Sequence, residues 1–285
     1  MVQHVTVSGE LGSGKSAVAN ALSARLGADV VSTGAIHRRI AAERGESALE
    51  TNLVAEEDAS IDELIDGELV RLGSGLDRII FDSRMAWHFV PGALKFHLLV
   101  DPRVAAQRMF GRTSTSVEGY DDVTSALAHG EQRHASEQRR FLATYGVDID
   151  LLRNYDDVID TSVTGVEELA DLVATFVAAP DDIAASPHMV CSAARLAGLG
   201  PDEFAPEGRV PVVPRELVTA AAPHLRVAYD RPDMAIVAGR EVLDEACARG
   251  QDLLPAILVA EGDEDVTPGT TAADLVRAEG PAGRG

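Results

Sequence analysis

The sequence predicts a three-layer α/β fold: five parallel strands between two layers of helices, followed by a small C-terminal α+β domain. Three observations predict it. Residues 1–178 alternate short apolar strand-like runs with longer helical ones, the pattern of a parallel sheet covered on both faces. A glycine-rich loop joins the first strand-like run to the first helical one. After Val177 the alternation stops and proline recurs, at 201, 206, 211, 214, 223 and 232.

Each element follows from its local pattern. Strands are expected at His4–Ser8, Asp29–Val31, Arg78–Asp82, Leu94–Val100 and Asp157–Asp160. Helices are expected at Lys15–Leu26, Gly34–Arg44, Ile61–Leu72, Pro102–Phe110, Val123–Thr144 and Val166–Val177. In the first helix Val18, Ala21, Leu22 and Leu26 recur at near-helical spacing and form one apolar face. Gly111–Asp122 is polar and reads as a mobile loop. Residues 1–178 therefore form the main domain, 179–187 a linker and 188–260 a small accessory domain. Within the last, Met234–Val237 and Ala256–Ala260 read as strands around a helix at Arg240–Arg249. The segment 261–285, acidic and rich in Gly, Pro and Thr, reads as a disordered tail.

Composition narrows the function classes. A formal net charge of −21 argues against sequence-independent binding to nucleic acid or to an anionic membrane. No stretch approaches the roughly 18 apolar residues of a membrane span. Two cysteines, Cys191 and Cys247, are too few for a disulfide framework and lack metal-ligand spacing. Without a visible leader, a cytoplasmic enzyme is expected. Lysine usage is more specific. Of 25 basic residues only Lys15 and Lys95 are lysines, and Lys15 sits in the glycine-rich loop. Arginine is no equivalent where a compact ammonium must fit between phosphates.

That loop carries the chemistry. Gly9-Glu10-Leu11-Gly12-Ser13-Gly14-Lys15-Ser16 fits G-x-x-x-x-G-K-[ST] between a strand and a helix, the P-loop arrangement. Glycines 9, 12 and 14 let backbone N–H groups turn inward on ATP phosphates, with Ser13 in the turn and Ala17 in the first helical turn. Lys15 would reach the β- and γ-phosphates, and Ser16 would hold Mg²⁺. Asp82 ends the apolar run Ile79-Ile80-Phe81, placed as a second metal-holding carboxylate. Alone, such an aspartate closes many parallel strands for solvation only; beside a P-loop it gains a role.

The segment Ser32-Thr33-Gly34-Ala35-Ile36-His37-Arg38 resembles the D-[ST]-G-x-x-[YF]-R stretch of cytidylate kinases, with His37 in place of the aromatic. The segments 41–47 and 56–58, Asp82-Ser83-Arg84, Glu137–Arg140 and Tyr145–Asp150 are similar to the short archaeal-type branch of that family, in the same order. The resemblance implies phosphoryl transfer from ATP to CMP or dCMP. It implies Thr33, His37, Arg38, Arg84 and Glu137 around the acceptor, and Arg84, Arg133 and Arg140 on the transferring group. It also places Arg108 and Arg112 near the donor base. Bacterial-type members carry an acidic residue where this chain has Met85, and a long insert where residues 45–77 are short. A modified pyrimidine nucleotide, or another small acceptor, is the alternative, and a silent nucleotide-binding regulator the second alternative.

Physical chemistry reads the same arginines independently. Joining two nucleotides gathers several negative charges, so cations must surround the phosphates. Arg133 and Arg140, seven residues apart on one helix, lie on one face two turns apart. Any single arginine is more commonly a solvated surface group, whereas the set in register points to phosphates. The partners expected are small-molecule nucleotides.

The C-terminal run Ile236–Glu241, with Ala246–Gly250 and Leu254–Ile257, loosely resembles the core of ParB/sulfiredoxin-like domains. Those domains read G-H-H-R or G-E-R-R where this chain has Gly239-Arg240-Glu241-Val242. Because the recognised phosphate-handling residues all precede it, residues 188–285 are expected to be dispensable for transfer itself.

Overall fold

The computed structural model describes residues 3–36, 60–111, 120–179, 188–199, 225–262 and 264–265. Five parallel strands form its centre: β1 (Val5–Gly9), β2 (Asp29–Ser32), β3 (Ile79–Asp82), β4 (Leu94–Leu99) and β5 (Asp157–Asp160), in the order β2-β3-β1-β4-β5. Their side chains alternate between two cores, as the pleat requires. Val5 and Val7 of β1, Ile80 of β3 and Ile159 of β5 face α1 (Lys15–Leu26) and a late helix, Val166–Ala178. Ile79 and Phe81 face the opposite way, onto α2 (Ser60–Gly73) and α3 (Ala86–Phe89). Behind β4 follow α4 (Pro102–Gly111) and the long α5 (Val123–Tyr145), which pack together, and Val166–Ala178 is α6. Asp122 caps α5 by accepting from Ser125 N, and Gly146 ends it in the left-handed conformation.

The expected strands and helices of residues 1–178 are present wherever those residues are described, with ends shifted by a residue or two. Short elements escaped the sequence reading: the one-turn helices α3 and Ala193–Leu196, and the strands His188–Ser192, Arg226–Asp230 and Glu264–Asp265. Of the helix expected at Gly34–Arg44, only its first residues are described. His37, Arg38 and Arg112 lie outside the described residues, as does most of the loop expected at Gly111–Asp122.

The C-terminal residues form strands and helices as expected, but they extend the parallel sheet itself. β6 (His188–Ser192) pairs in parallel with β5, placing His188 opposite Asp157. There His188 Nδ1 and Asp157 Oδ1 stand 2.9 Å apart, with both side chains fully buried. β9 (Leu253–Glu261) pairs antiparallel with β6, β7 (Arg226–Asp230) parallel with β9, and β8 (Asp233–Ala238) antiparallel with β7. α7 (Ala193–Leu196) and α8 (Arg240–Ala248) pack against each other. One hydrophobic cluster spans the junction: Trp87, Leu99, Tyr155 and Val158 from the first part, with Met189, Cys191, Val227, Leu243 and Leu254 from the second.

Of the tail expected at 261–285, residues 261–262 and 264–265 are described. Glu261 completes β9 and accepts a hydrogen bond from Leu152 N, and β10 (Glu264–Asp265) pairs back onto β9. In the segment compared with ParB/sulfiredoxin-like domains, Gly239 opens α8 and Arg240 pairs with Asp244 on the surface.

This shared core makes a prediction against dispensability. Ending the chain at Ala179 strips β5 of its neighbour and uncovers Tyr155 and Val158, both fully buried. The shortened protein should aggregate, or melt many degrees below the full chain, in size-exclusion and thermal-unfolding measurements. A monomer melting cooperatively at the full-length temperature would show that the added strands stabilise nothing.

Candidate active site

The P-loop turns tightly because its glycines have no Cβ. At Gly9 a Cβ would lie 2.8 Å from the Leu98 carbonyl oxygen, and at Gly12 (φ +83°) 2.8 Å from the Ala105 backbone. The loop is braced from behind. Glu10 N donates to Leu98 O, Ser13 N to Glu10 O, and Thr161 Oγ1 to Ser13 O at 3.0 Å. Gly14 (φ 86°) leads into α1 with no side-chain cap. The first-turn N–H groups of Lys15, Ser16 and Ala17 are therefore open to phosphate oxygens, with the positive end of the helix dipole behind them.

Asp82, the last residue of β3, gathers both working side chains of the loop. Lys15 Nζ lies 2.6 Å from Oδ1, and Ser16 Oγ donates to Oδ2 at 2.7 Å. Asp82 is 2% exposed and Lys15 20%. Burial pulls the Lys15 ammonium below its ordinary pKa, with Asp82 opposing. Burial alone would raise the Asp82 carboxyl, but Lys15 and Ser16 outweigh it and hold it low. A hard carboxylate beside a hydroxyl suits Mg²⁺, which takes few protein ligands and completes its shell with phosphate and water. Among the described residues no group of three or more His, Cys, Asp or Glu could hold a metal.

Next to the loop opens a cleft lined by Lys15, Thr33, Gly34, Ser83, Arg84 and Met85 on the sheet side. Arg133, Glu137, Arg140, Phe141 and Tyr145 of α5 form a second wall, and Asp62, Ile65, Asp66 and Leu69 of α2 a third. The sequence-derived Thr33, Arg84, Arg133, Glu137 and Arg140 thus meet around one space with Lys15. Glu137 links two of the cations: Arg84 Nη1 pairs with Oε2, and Arg133 Nε donates to Oε1 at 3.0 Å. Burial opposes charge on Glu137, but Arg84 and Arg133 prevail and hold its carboxyl below the ordinary range. Arg140 stacks on Phe141 at 4.9 Å and lies 3.7 Å from Asp62. Arg108 stands behind the loop, its guanidinium donating to Thr161 O at 2.7 Å and Gly12 O at 3.4 Å.

Sequence reasoning passed over the third wall. Asp62, Ile65, Asp66 and Leu69 recur at i, i+3, i+4 and i+7, one helical face. Two acids on an otherwise apolar stripe were the available signal. Tyr145 Oη donates to Asp66 Oδ2 at 2.7 Å. Burial raises the Asp66 carboxyl to about 6, the Tyr145 hydrogen bond opposing.

Comparison with known proteins relates the chain to a family. A family model described as "AAA domain" matches residues 5–129. The chain is 40% identical over 160 residues to the cytidylate kinase of Methanothrix thermoacetophila, covering 55% of this chain and 87% of that one. It is 38% identical over 174 residues to that of Halorubrum lacusprofundi (60% and 88%) and 35% identical over 158 to that of Methanothermobacter thermautotrophicus (55% and 94%). No described helix is long and apolar enough to cross a membrane.

Lys15 should matter to turnover far more than to folding, because its partner Asp82 keeps Ser16. We expect Lys15→Ala to lower kcat at least about a hundredfold while circular dichroism still reports a folded protein. A folded variant retaining more than about a tenth of wild-type kcat, a loss under roughly 1.4 kcal/mol, would remove Lys15 from the chemistry.

Proposed function

The chain belongs to the cytidylate kinase family and is a nucleoside-monophosphate kinase; from that premise we propose that its acceptor is CMP or dCMP, phosphorylated by ATP with Mg²⁺. In this reading the P-loop N–H groups and Lys15 hold the donor phosphates. Ser16 and Asp82 hold the metal, which when bound neutralises charge on the phosphate oxygens. Arg84 and Arg133 stand at the acceptor phosphate and the transferring group, with Arg140 beside them. His37, Arg38 and Arg112 are assigned the roles that the family resemblance implies: acceptor contacts for the first two, donor contact for the third. Little proton transfer is needed beforehand, so the work of the site is positioning and charge compensation.

The observation that carries the choice of base is the acidic wall on α2. An ionised carboxylate only accepts hydrogen bonds. Cytosine offers an exocyclic N4 amine, a donor, where uracil offers a carbonyl oxygen, an acceptor. Asp66 accepts from Tyr145 at one oxygen, a carboxylate has lone pairs for further donors, and Asp62 lies one turn away. Such a wall favours cytosine and repels uracil. The same face supplies Ile65 and Leu69 as apolar surface for a base.

Exchanging the carboxylate for an amide tests this directly. Asp66→Asn should lower the ratio of kcat/KM for CMP over UMP at least about tenfold, because an amide can also donate to the uracil carbonyl. In the wild type that ratio should decline as pH falls through about 6, where Asp66 takes up its proton. The two substrates share the same phosphate ionisation, so their ratio isolates the protein group. A ratio unchanged by both the substitution and pH would place base selection elsewhere.

A further inference from the structure

The turn between β7 and β8 reaches back to the nucleotide loop through one side chain. Arg231 Nε donates to Glu10 Oε1 at 3.1 Å. Its Nη1 and Nη2 donate to the two carboxylate oxygens of Glu131 at 3.1 and 3.3 Å, a bidentate pair. Asp150 Oδ1 lies 3.9 Å from Nε. Only 18% of the Arg231 side chain is exposed.

Its partners are not arbitrary surface acids. Glu10 is the second residue of the P-loop, and its other carboxylate oxygen accepts from Val100 N at 2.9 Å. Glu131 lies on α5, two residues before Arg133 and on the helix that carries Arg140. His134 Nε2 of α5 also lies 2.7 Å from Asp150 Oδ1. The turn itself is held in place: Arg195 pairs with Asp160 at the end of β5 and donates to Pro232 O at 2.6 Å. One guanidinium therefore joins the loop that meets the donor phosphates to the helix that carries two cations of the cleft.

Charge gives this joint a consequence for ATP. Glu10, Glu131 and Asp150 are three carboxylates converging beside a loop built to receive a triphosphate. Without a cation among them they would repel that ligand and one another. We propose that Arg231 is a positioning residue for the donor site: it neutralises this acidic cluster and fixes α5, with Arg133 and Arg140, at a set distance from the P-loop. The C-terminal hairpin is then part of the machinery of the kinase, beyond its share of the hydrophobic core.

This inference rests on the P-loop taking ATP and is independent of which acceptor follows. Its test is calorimetric binding of Mg·ATP to the full-length protein without acceptor, together with kcat for the best acceptor. Arg231→Gln should weaken ATP binding at least about tenfold and lower kcat, the range expected for a charge-assisted contact. Arg231→Lys should recover most of the affinity, and adding Glu131→Gln to Arg231→Gln should recover part of it by removing one repelling charge. A contact serving stability alone would lower Tm and leave ATP affinity, kcat and the lysine rescue unmoved. A folded Arg231→Gln variant within about twofold of wild type in both ATP affinity and kcat overturns the proposal. Should that variant not fold, Glu131→Gln decides. Glu131 is half-exposed, and its loss frees α5 without adding negative charge. The expected result is kcat reduced at least about threefold with ATP affinity undiminished, and an unchanged kcat overturns the proposal.

Discussion

Asp82 is the point on which the site turns. It closes β3, between β2 and β1, and is 2% exposed; a buried carboxylate is costly without compensation. Lys15 and Ser16 supply that compensation, and both come from the loop that Gly9 and Gly12 allow to press against β4 and α4. The sheet order follows the same need: β1 lies between β3 and β4, so the loop leaving β1 has the Asp82 strand on one side and its backing strand on the other. In the proposed reaction the ammonium and hydroxyl would have phosphate oxygens to serve, and the carboxylate would remain for the metal.

A chain with a net charge of −21 must nonetheless assemble a cationic cleft for two nucleotides. Among the described residues it pairs Arg84, Arg133, Arg140 and Arg231 with acids that orient them. Glu137 is shared by Arg84 and Arg133, Asp62 lies against Arg140, and Glu10 and Glu131 hold Arg231. Such pairs keep guanidinium groups placed where unpaired ones would sample many rotamers, at the cost of local positive charge. Among the acids of the cleft, Asp66 on α2 is the exception in kind. Asp66 is held by a tyrosine and lifted toward neutrality by burial, the condition of a group placed to meet a neutral base.

Local pattern and spacing made the first 178 residues legible. The P-loop glycines, Lys15 and Ser16 are contiguous in sequence and Asp82 ends an apolar run, so local pattern announces each, although Lys15 and Asp82 meet only in the fold. Arg84, Arg133, Glu137 and Arg140 were found because they recur in register with a known family. Asp62, Asp66 and Tyr145 were missed because their meeting is tertiary: α2 and the end of α5 are nearly eighty residues apart in sequence. The C-terminal half was harder still. His188–Ser192 is a five-residue strand beside a polar linker, and its membership of the central sheet depends on the buried His188–Asp157 pair and a shared core. No local periodicity announces that a later segment will pair with β5. The role of Arg231 depends in turn on that pairing, since the extended sheet carries its turn back to the P-loop.

Initial rates of ADP formation from Mg·ATP, measured with the full-length protein across CMP, dCMP, UMP, AMP and GMP, test the account most directly. It predicts that CMP or dCMP has the highest kcat/KM, at least about tenfold above UMP, the margin one well-placed hydrogen-bond match supplies. Equal use of UMP, a purine monophosphate as the best substrate, or no turnover of any of the five by a folded protein that binds ATP would contradict it.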